Sequence, residues 1–561
     1  MTYMKNVLFL TLVILTGCSK SATDAKLPIP PKLIVFISID QFRYDYLTRF
    51  APFFGADGFN HLIKKGANFV NCEYEHATTK TSVGHSVMMS GAYPRTTGIV
   101  ANNWYDRDLR RLTYSVEDTL SPVLGLIQKS NRDGRSPRKF NGTNLGDALK
   151  HHNGNKSKVF AVSCKDDASI LMAGRSANAA YWMNDAEGGF FTSSYYMKAF
   201  PEWVETFNRE HSFDKWFGAK WDLLLGEKDY PMIDISALRY YDYPKSWSGT
   251  LPYQIGISLE KPDADYYNLL IESPFSSEAL LDFTERLTVE EELGADEFPD
   301  ILCISFSAND EIGHCFGPNS REVMDVTIRT DRYLERLFKF MDKAVGDEHI
   351  LYVLTSDHGV AVMPEELKRL EIESGRVKPP VIEKLVQEAM TKKFGKLDVE
   401  SSYVGRMANL DFYFNRSALD EKKIDKKAAE DYISQVLTKS MPQIFRVYTA
   451  EHLMHGNISQ DTVLRLVQNN YHTENSGDLV IILKPNFVWD RNEVGTEHGS
   501  PYSYDRHVPL ILYGTNWIKP GNFGTPCSPA DIAPTLSTIF GIDAPVGFEG
   551  KILKEVIRFS K

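Results

Sequence analysis

The sequence predicts an α/β fold: a mostly parallel sheet sandwiched by helices, with inserted cap segments. Three observations predict it. First, short continuous apolar runs recur along the chain, the pattern of strands buried on both faces. They lie at 32–39, 158–163, 299–306, 349–355, 479–483 and 508–513. Second, helical periodicity falls between them: Leu334, Leu337, Phe338 and Met341 follow the i, i+3, i+4, i+7 spacing of a helix packed on a sheet. Third, several runs end at reactive residues, namely Asp40, Lys165, Asp310 and Asp357-His358. In open α/β sheets ligands sit beyond the carboxyl ends of the strands.

Taken in order, the first segment is an address. A basic start at Lys5, an apolar run over 7–15 and Leu15-Thr16-Gly17-Cys18 form a signal-peptide pattern over 1–18. The small-residue-then-Cys ending resembles a bacterial lipoprotein signal, which implies that Cys18 is lipidated. Ser19 follows the Cys rather than an Asp, so the expected destination is the outer membrane, facing the periplasm. Residues 19–31 are polar, then Pro-rich, and read as a tether. The core is expected in three parts, 32–184, 299–361 and 479–561. Between them, 185–298 (rich in Trp, Tyr, Pro and acidic groups) and 362–478 (Lys/Glu-rich and helical) read as insertions covering the carboxyl edge of the sheet.

Composition excludes several classes. The 561 residues are 43% hydrophobic and 24% charged, ordinary globular values. The net charge of −11 offers no basic footprint for nucleic acid. No apolar run reaches the roughly 20 residues that span a bilayer. Six Cys are too few for a disulfide scaffold at this length. With Cys18 set aside, Cys72, Cys164, Cys303, Cys315 and Cys527 remain, and a Cys303–Cys315 bridge is open on spacing alone.

Four clusters carry metal-ligand chemistry: Asp40; Asp310 to His314; Asp357-His358; and Glu497-His498 within Gly495 to Ser500. Carboxylate oxygen with imidazole nitrogen and no Cys suits Zn²⁺ or a similar divalent ion. Six ligands exceed one tetrahedral ion and fit two. His85 and His507 lie inside motifs and are read as supporting or packing residues. Thr78-Thr79-Lys80-Thr81-Ser82-Val83-Gly84-His85 precedes a small-residue apolar helix. A hydroxyl at a helix N-terminus meets unpaired N–H groups and the positive end of the macrodipole, which favour an alkoxide and a phosphate. Asn102 adds an amide donor for an oxyanion.

These motifs, with ISIDQFRYDYL, NDEIGHCFGP, TSDHGV, GTEHGSPYSYDRHVPL and SPADIAPTLSTIFGI, resemble the alkaline phosphatase superfamily. The branch is that of type I phosphodiesterases/nucleotide pyrophosphatases and phosphate-irrepressible bacterial alkaline phosphatases. The resemblance spans the whole mature chain and implies an alkaline-phosphatase-like fold with two Zn²⁺ per chain. By position it makes Thr81 the nucleophile, Asn102 and Lys165 substrate-binding catalytic residues, and Asp310, His314 and His498 the ligands of one zinc. Asp40, Asp357 and His358 hold the other, with Thr81 as its open ligand. The implied reaction is hydrolysis of phosphate monoesters through a phospho-threonine intermediate, on small-molecule esters, by a monomer without a nucleic-acid partner. A phosphodiesterase of the same fold is the alternative, because Asp167 stands where the branch has an arginine. Asp167 is expected either to face the site and pair with Lys165 or with a cationic group on the substrate, or to point to solvent, with Arg175 helping Lys165. No Cys/Ser-x-Pro-x-Arg motif of a sulfatase is present. A degenerate lipoprotein that keeps zinc for structure alone is the non-enzyme alternative.

Overall fold

The computed structural model describes residues 29–559 except 127–129, 211–212, 231–250, 399–400, 456–460 and 490–494. The signal segment and Cys18 lie outside the described residues. A nine-stranded sheet forms the body. Its centre is five parallel strands in the spatial order Ile350–Thr355, Leu33–Ile39, Asp300–Phe306, Val159–Ser163 and Ala179–Met183. Leu510–Tyr513 adds antiparallel to Ile350–Thr355, and Ala67–Phe69 follows it.

The continuous apolar runs have a direct cause. All seven residues of Leu33–Ile39 are buried. Leu33, Val35, Ile37 and Ile39 pack on one face with Leu280, Phe283 and Leu287 of helix Phe275–Glu290 and Leu334, Leu337 and Met341 of helix Arg321–Ala344. Ile34 and Phe36 pack on the other with Val83 and Val87 of helix Thr81–Ser90 and Leu536 of helix Ile532–Phe540. Both faces being dry, alternation is absent from the sequence.

Two segments fold differently from the sequence expectation. Helix Phe275–Glu290, inside the stretch read as a cap, covers one face of the main sheet, because its Leu280/Phe283/Leu287 stripe needs an apolar partner. Leu479–Leu483 belongs to a separate four-stranded antiparallel sheet with Val404–Ala408, Asp411–Phe414 and Ile444–Thr449. Its odd residues pack into one small core and Val480 and Ile482 into another. It therefore reads like a main-sheet strand while belonging to the insertion's own sheet. Ile444–Thr449 escaped notice because Phe445 and Arg446 are exposed.

No disulfide joins the five described cysteines. Cys303 and Cys315 do not bridge: Cys303 packs into the core on one face of the sheet, and Cys315 packs against the core on the other. No helix among the described residues is long and apolar enough to cross a membrane.

Candidate active site

Four adjacent parallel strands deliver their reactive residues to one edge. Asp40 follows Leu33–Ile39, Lys165 follows Val159–Ser163, helix Ala308–Phe316 with Asp310 and His314 follows Asp300–Phe306, and Asp357-His358 follows Ile350–Thr355. His498 arrives from a loop fixed by Thr496, whose N–H donates to His314 O at 2.9 Å.

Two groups of donor atoms result, Asp40/Asp357/His358 and Asp310/His314/His498, each with its atoms within 4.8 Å of one another. The three imidazoles share one arrangement. Each donates Nδ1–H to a backbone carbonyl: His358 to Gly359 at 2.9 Å, His314 to Thr496 at 2.8 Å, His498 to Thr79 at 2.6 Å. Nε2 of each is left facing carboxylates, at 3.3 Å from Asp40 Oδ1 for His358 and 3.3 Å from Asp310 Oδ1 for His314. That is how a protein fixes an imidazole as a metal ligand. Burial lowers the pKa of His358 and of His498 well below the usual value, which keeps them neutral.

The carboxylates point the same way. Asp40 and Asp357 are fully buried, and Asp40 Oδ1 and Asp357 Oδ2 lack any hydrogen-bond donor. Burial and the neighbouring Asp310 push Asp40 up to about 7, and burial and Asp40 push Asp357 well above the carboxylate range. Orphaned buried anions are costly unless a cation compensates them. The donor set thus fits two divalent ions. The Lys165 ammonium already serves part of that need: Nζ lies 2.9 Å from Asp40 Oδ2 and 3.3 Å from Glu311 Oε1, and it also contacts Asp310 Oδ2.

Thr81 opens helix Thr81–Ser90, and its Oγ1 lies 3.4 Å from His358 Nε2. His85, one turn on, donates Nδ1–H to Thr81 O at 2.8 Å and accepts from Ser305 Oγ at 3.0 Å, so it braces the helix against the sheet. Gly84 permits close approach: a Cβ there would lie 2.2 Å from Asp357 O. Asn102 Oδ1 accepts from Ser82 N at 2.9 Å, which leaves its Nδ2–H₂ as the donor on a cavity of about 610 Å³. Thr81, Asn102, Lys165, Asp310, His314 and His498 all line that cavity.

The model of the family described as type I phosphodiesterase / nucleotide pyrophosphatase matches residues 34–505. The chain belongs to this family. This places it in the alkaline phosphatase superfamily. The chain is 32% identical over 529 residues to alkaline phosphatase PafA of Elizabethkingia meningoseptica, covering 94% of each. It is 31% identical to alkaline phosphatase PhoV of Synechococcus elongatus, covering 94% of this chain and 93% of that one. The crystal structure of wild-type PafA superposes with a TM-score of 0.84 at 30% identity, covering 94% of this chain and 99% of that one.

On this type I phosphodiesterase scaffold Asp167 lines the cavity, as one of the two expectations had it, but without the expected Lys165 pairing. It is 2% exposed and makes no ion pair with Lys165. Its Oδ2 accepts from Ser82 Oγ at 2.6 Å and its Oδ1 from Ala168 N at 2.9 Å. The start of helix Asp166–Ala173 thus turns the carboxylate onto the helix that carries Thr81. Arg175 is exposed and bonds Phe140 O and Arg138 O, away from the cavity. His507 stacks on Tyr44 with centroids 4.6 Å apart, a packing role.

Sequence reasoning missed Gln41. It is buried at φ 59°, a conformation rare outside glycine. Its backbone N–H donates to Asp357 Oδ1 at 3.2 Å and its side-chain Nε2 to Asp310 Oδ1 at 2.6 Å, so one residue joins both ligand groups. Its place directly after Asp40 was visible, but its backbone conformation was not. Glu311, inside the Asp310 to His314 cluster, was given no role of its own, and Arg135 stands in no strand-end pattern.

Proposed function

We propose that the chain is a metal-dependent phosphoric-ester hydrolase acting on phosphate monoesters, with Thr81 as nucleophile. One observation carries it: the Thr81 hydroxyl begins a buried helix 3.4 Å from His358 Nε2 of one ligand group, on a cavity shared with Asn102, Lys165 and the other ligand group, Asp310, His314 and His498. Asp40, Asp357 and His358 would hold one Zn²⁺, and Asp310, His314 and His498 a second. When bound, these ions supply Lewis acidity that favours the ionised hydroxyl and takes up charge on the leaving oxygen.

The chain's own residues do the rest. Thr81 Oγ1 gains nucleophilicity from the positive end of its helix. It attacks phosphorus in line, the ester oxygen departs, and phospho-threonine 81 forms. Asn102 Nδ2–H₂ donates to a non-bridging oxygen where charge accumulates. The Lys165 ammonium offsets charge between the two carboxylate groups. Water then cleaves the phospho-threonine, releasing orthophosphate and restoring the hydroxyl. Asp167 lines the cavity with both carboxylate oxygens already hydrogen-bonded, one to Ser82 Oγ and the other to Ala168 N.

The Leu15-Thr16-Gly17-Cys18 sequence supports export and anchoring through a lipidated Cys18, in the periplasm at the outer membrane. The functional test compares p-nitrophenyl phosphate with bis-p-nitrophenyl phosphate on zinc-loaded protein. The monoester should be preferred, Thr81→Ala should lose most turnover while keeping metal, and Thr81→Ser should keep a substantial part. Near-wild-type turnover by Thr81→Ala would refute the assignment.

A further inference from the structure

Arg135 lines the same cavity as Thr81 and Asn102, yet it comes from the loop after Asn131–Asp133. Its backbone is fixed at both ends: its N–H donates to Ser121 O at 2.8 Å, and its carbonyl accepts from Ser193 Oγ. Its guanidinium is fixed too. Nε donates to Asp166 Oδ2 at 2.5 Å, and Nη1 donates to Arg132 O at 2.9 Å and Gly134 O at 3.0 Å. The group lies 5.3 Å over the Tyr114 ring, and Tyr114 Oη–H donates to Asp166 Oδ1 at 2.7 Å, locking that carboxylate. Among the described residues Nη2 has no acceptor. Burial works against the charge, but Asp166 outweighs it and holds the pKa above the ordinary value.

The other cations of the cavity are engaged elsewhere. Lys80 pairs with Glu497 at 3.0 Å, and Lys165 is shared among Asp40, Asp310 and Glu311. Asp185 and Glu272 make the lining more negative still. A chain of contacts places Arg135 on the Asn102 wall: Asn102 holds Ser82 N, Ser82 Oγ holds Asp167, and the adjoining Asp166 holds Arg135.

We propose that Arg135 is a specificity-determining residue whose free Nη2 edge receives the anionic oxygens of a phosphate monoester and favours monoesters over diesters. The inference rests on the hydrolase reading above and deepens it. A monoester dianion presents one more anionic oxygen than a diester, in which that oxygen carries carbon. A pinned guanidinium therefore helps the first substrate more, at little cost in ordering. It also explains how a chain with a carboxylate at 167 handles a dianion: the cation is delivered through Asp166 from a different loop.

The test measures kcat/KM for p-nitrophenyl phosphate and bis-p-nitrophenyl phosphate, and inhibition by inorganic phosphate, on zinc-loaded wild type, Arg135→Gln and Arg135→Lys. In Arg135→Gln the monoester-to-diester ratio should fall by about tenfold or more, with a comparable loss of phosphate affinity. Arg135→Lys, which keeps the charge without the fork, should show a smaller fall and serves if the Gln variant does not fold. A parallel loss on both esters at constant ratio would make the role merely structural and overturn the proposal, as would no change. Wild type inactive on both esters would sink the hydrolase reading and this inference with it. An active wild type with unchanged ratios in the variants sinks this inference alone.

Discussion

Replacing Gly84 with Ala tests how tightly the nucleophile is tied to its neighbours. Gly84 lies one turn after Thr81 in helix Thr81–Ser90. A Cβ there would sit 2.2 Å from Asp357 O and 2.6 Å from Asp357 Cα, against 3.4–4 Å for ordinary contact. The obstructing atoms are backbone, so no side chain can swing aside, and the helix must retreat by roughly 1 Å. Two effects oppose each other. Ala gains about 1 kcal/mol of helix propensity over Gly, whereas overpacking costs about 1–3 kcal/mol. The balance is a modest loss of stability. Activity should suffer far more, because about 1 Å of misplacement between Thr81 and His358 costs on the order of 10²-fold. The assay pairs a thermal melt with kcat/KM on p-nitrophenyl phosphate in zinc. A Gly84→Ala protein that melts at or above wild type and keeps activity within about threefold would show the contact to be soft and the reasoning wrong.

Metal analysis should find two divalent ions per chain; EDTA should abolish activity and lower Tm, and zinc should restore both, since Asp40 Oδ1 and Asp357 Oδ2 have no other partner. One ion or fewer in fully active protein would contradict the two-ion reading. Asp411, remote from the cavity, is fully buried, and burial pushes it up to about 7. Its folded pKa exceeds the unfolded value of 3.8, so the native state holds a proton the unfolded chain releases. Stability is full below about pH 4 and falls as pH rises to about 7, by an amount on the order of 4 kcal/mol. Asp411→Asn keeps an acceptor for Gly477 N and should gain on wild type in chemical denaturation at pH 8 but not at pH 4; equal gaps at both would refute this. Finally, Cys18→Ala should release the protein from membranes on fractionation, whereas a wholly soluble wild type would exclude the anchor.

The sequence by itself determined what local chemistry can encode. Residues buried on both faces must be apolar throughout, so 32–39, 299–306 and 349–355 announced the central parallel strands, and Leu334, Leu337, Phe338 and Met341 announced a helix against them. Acids, imidazoles and a hydroxyl at strand and helix ends announced a site of metal and phosphate chemistry. The same reasoning misplaced Leu479–Leu483, because a strand dry on both faces looks alike in any sheet. Tertiary structure alone decided the rest. Asp310 meets His498, and Asp40 meets Asp357 and His358, only because strand order and a distant loop bring them together. That Asp167 lines the cavity with its carboxylate held by the Ser82 hydroxyl was not legible in the charged run it belongs to. Arg135 carries no motif at all; Asp166 and Tyr114 place it on the cavity. Periodicity reports burial and helix ends report dipoles, but a contact across 31 or 269 residues leaves no trace in local composition.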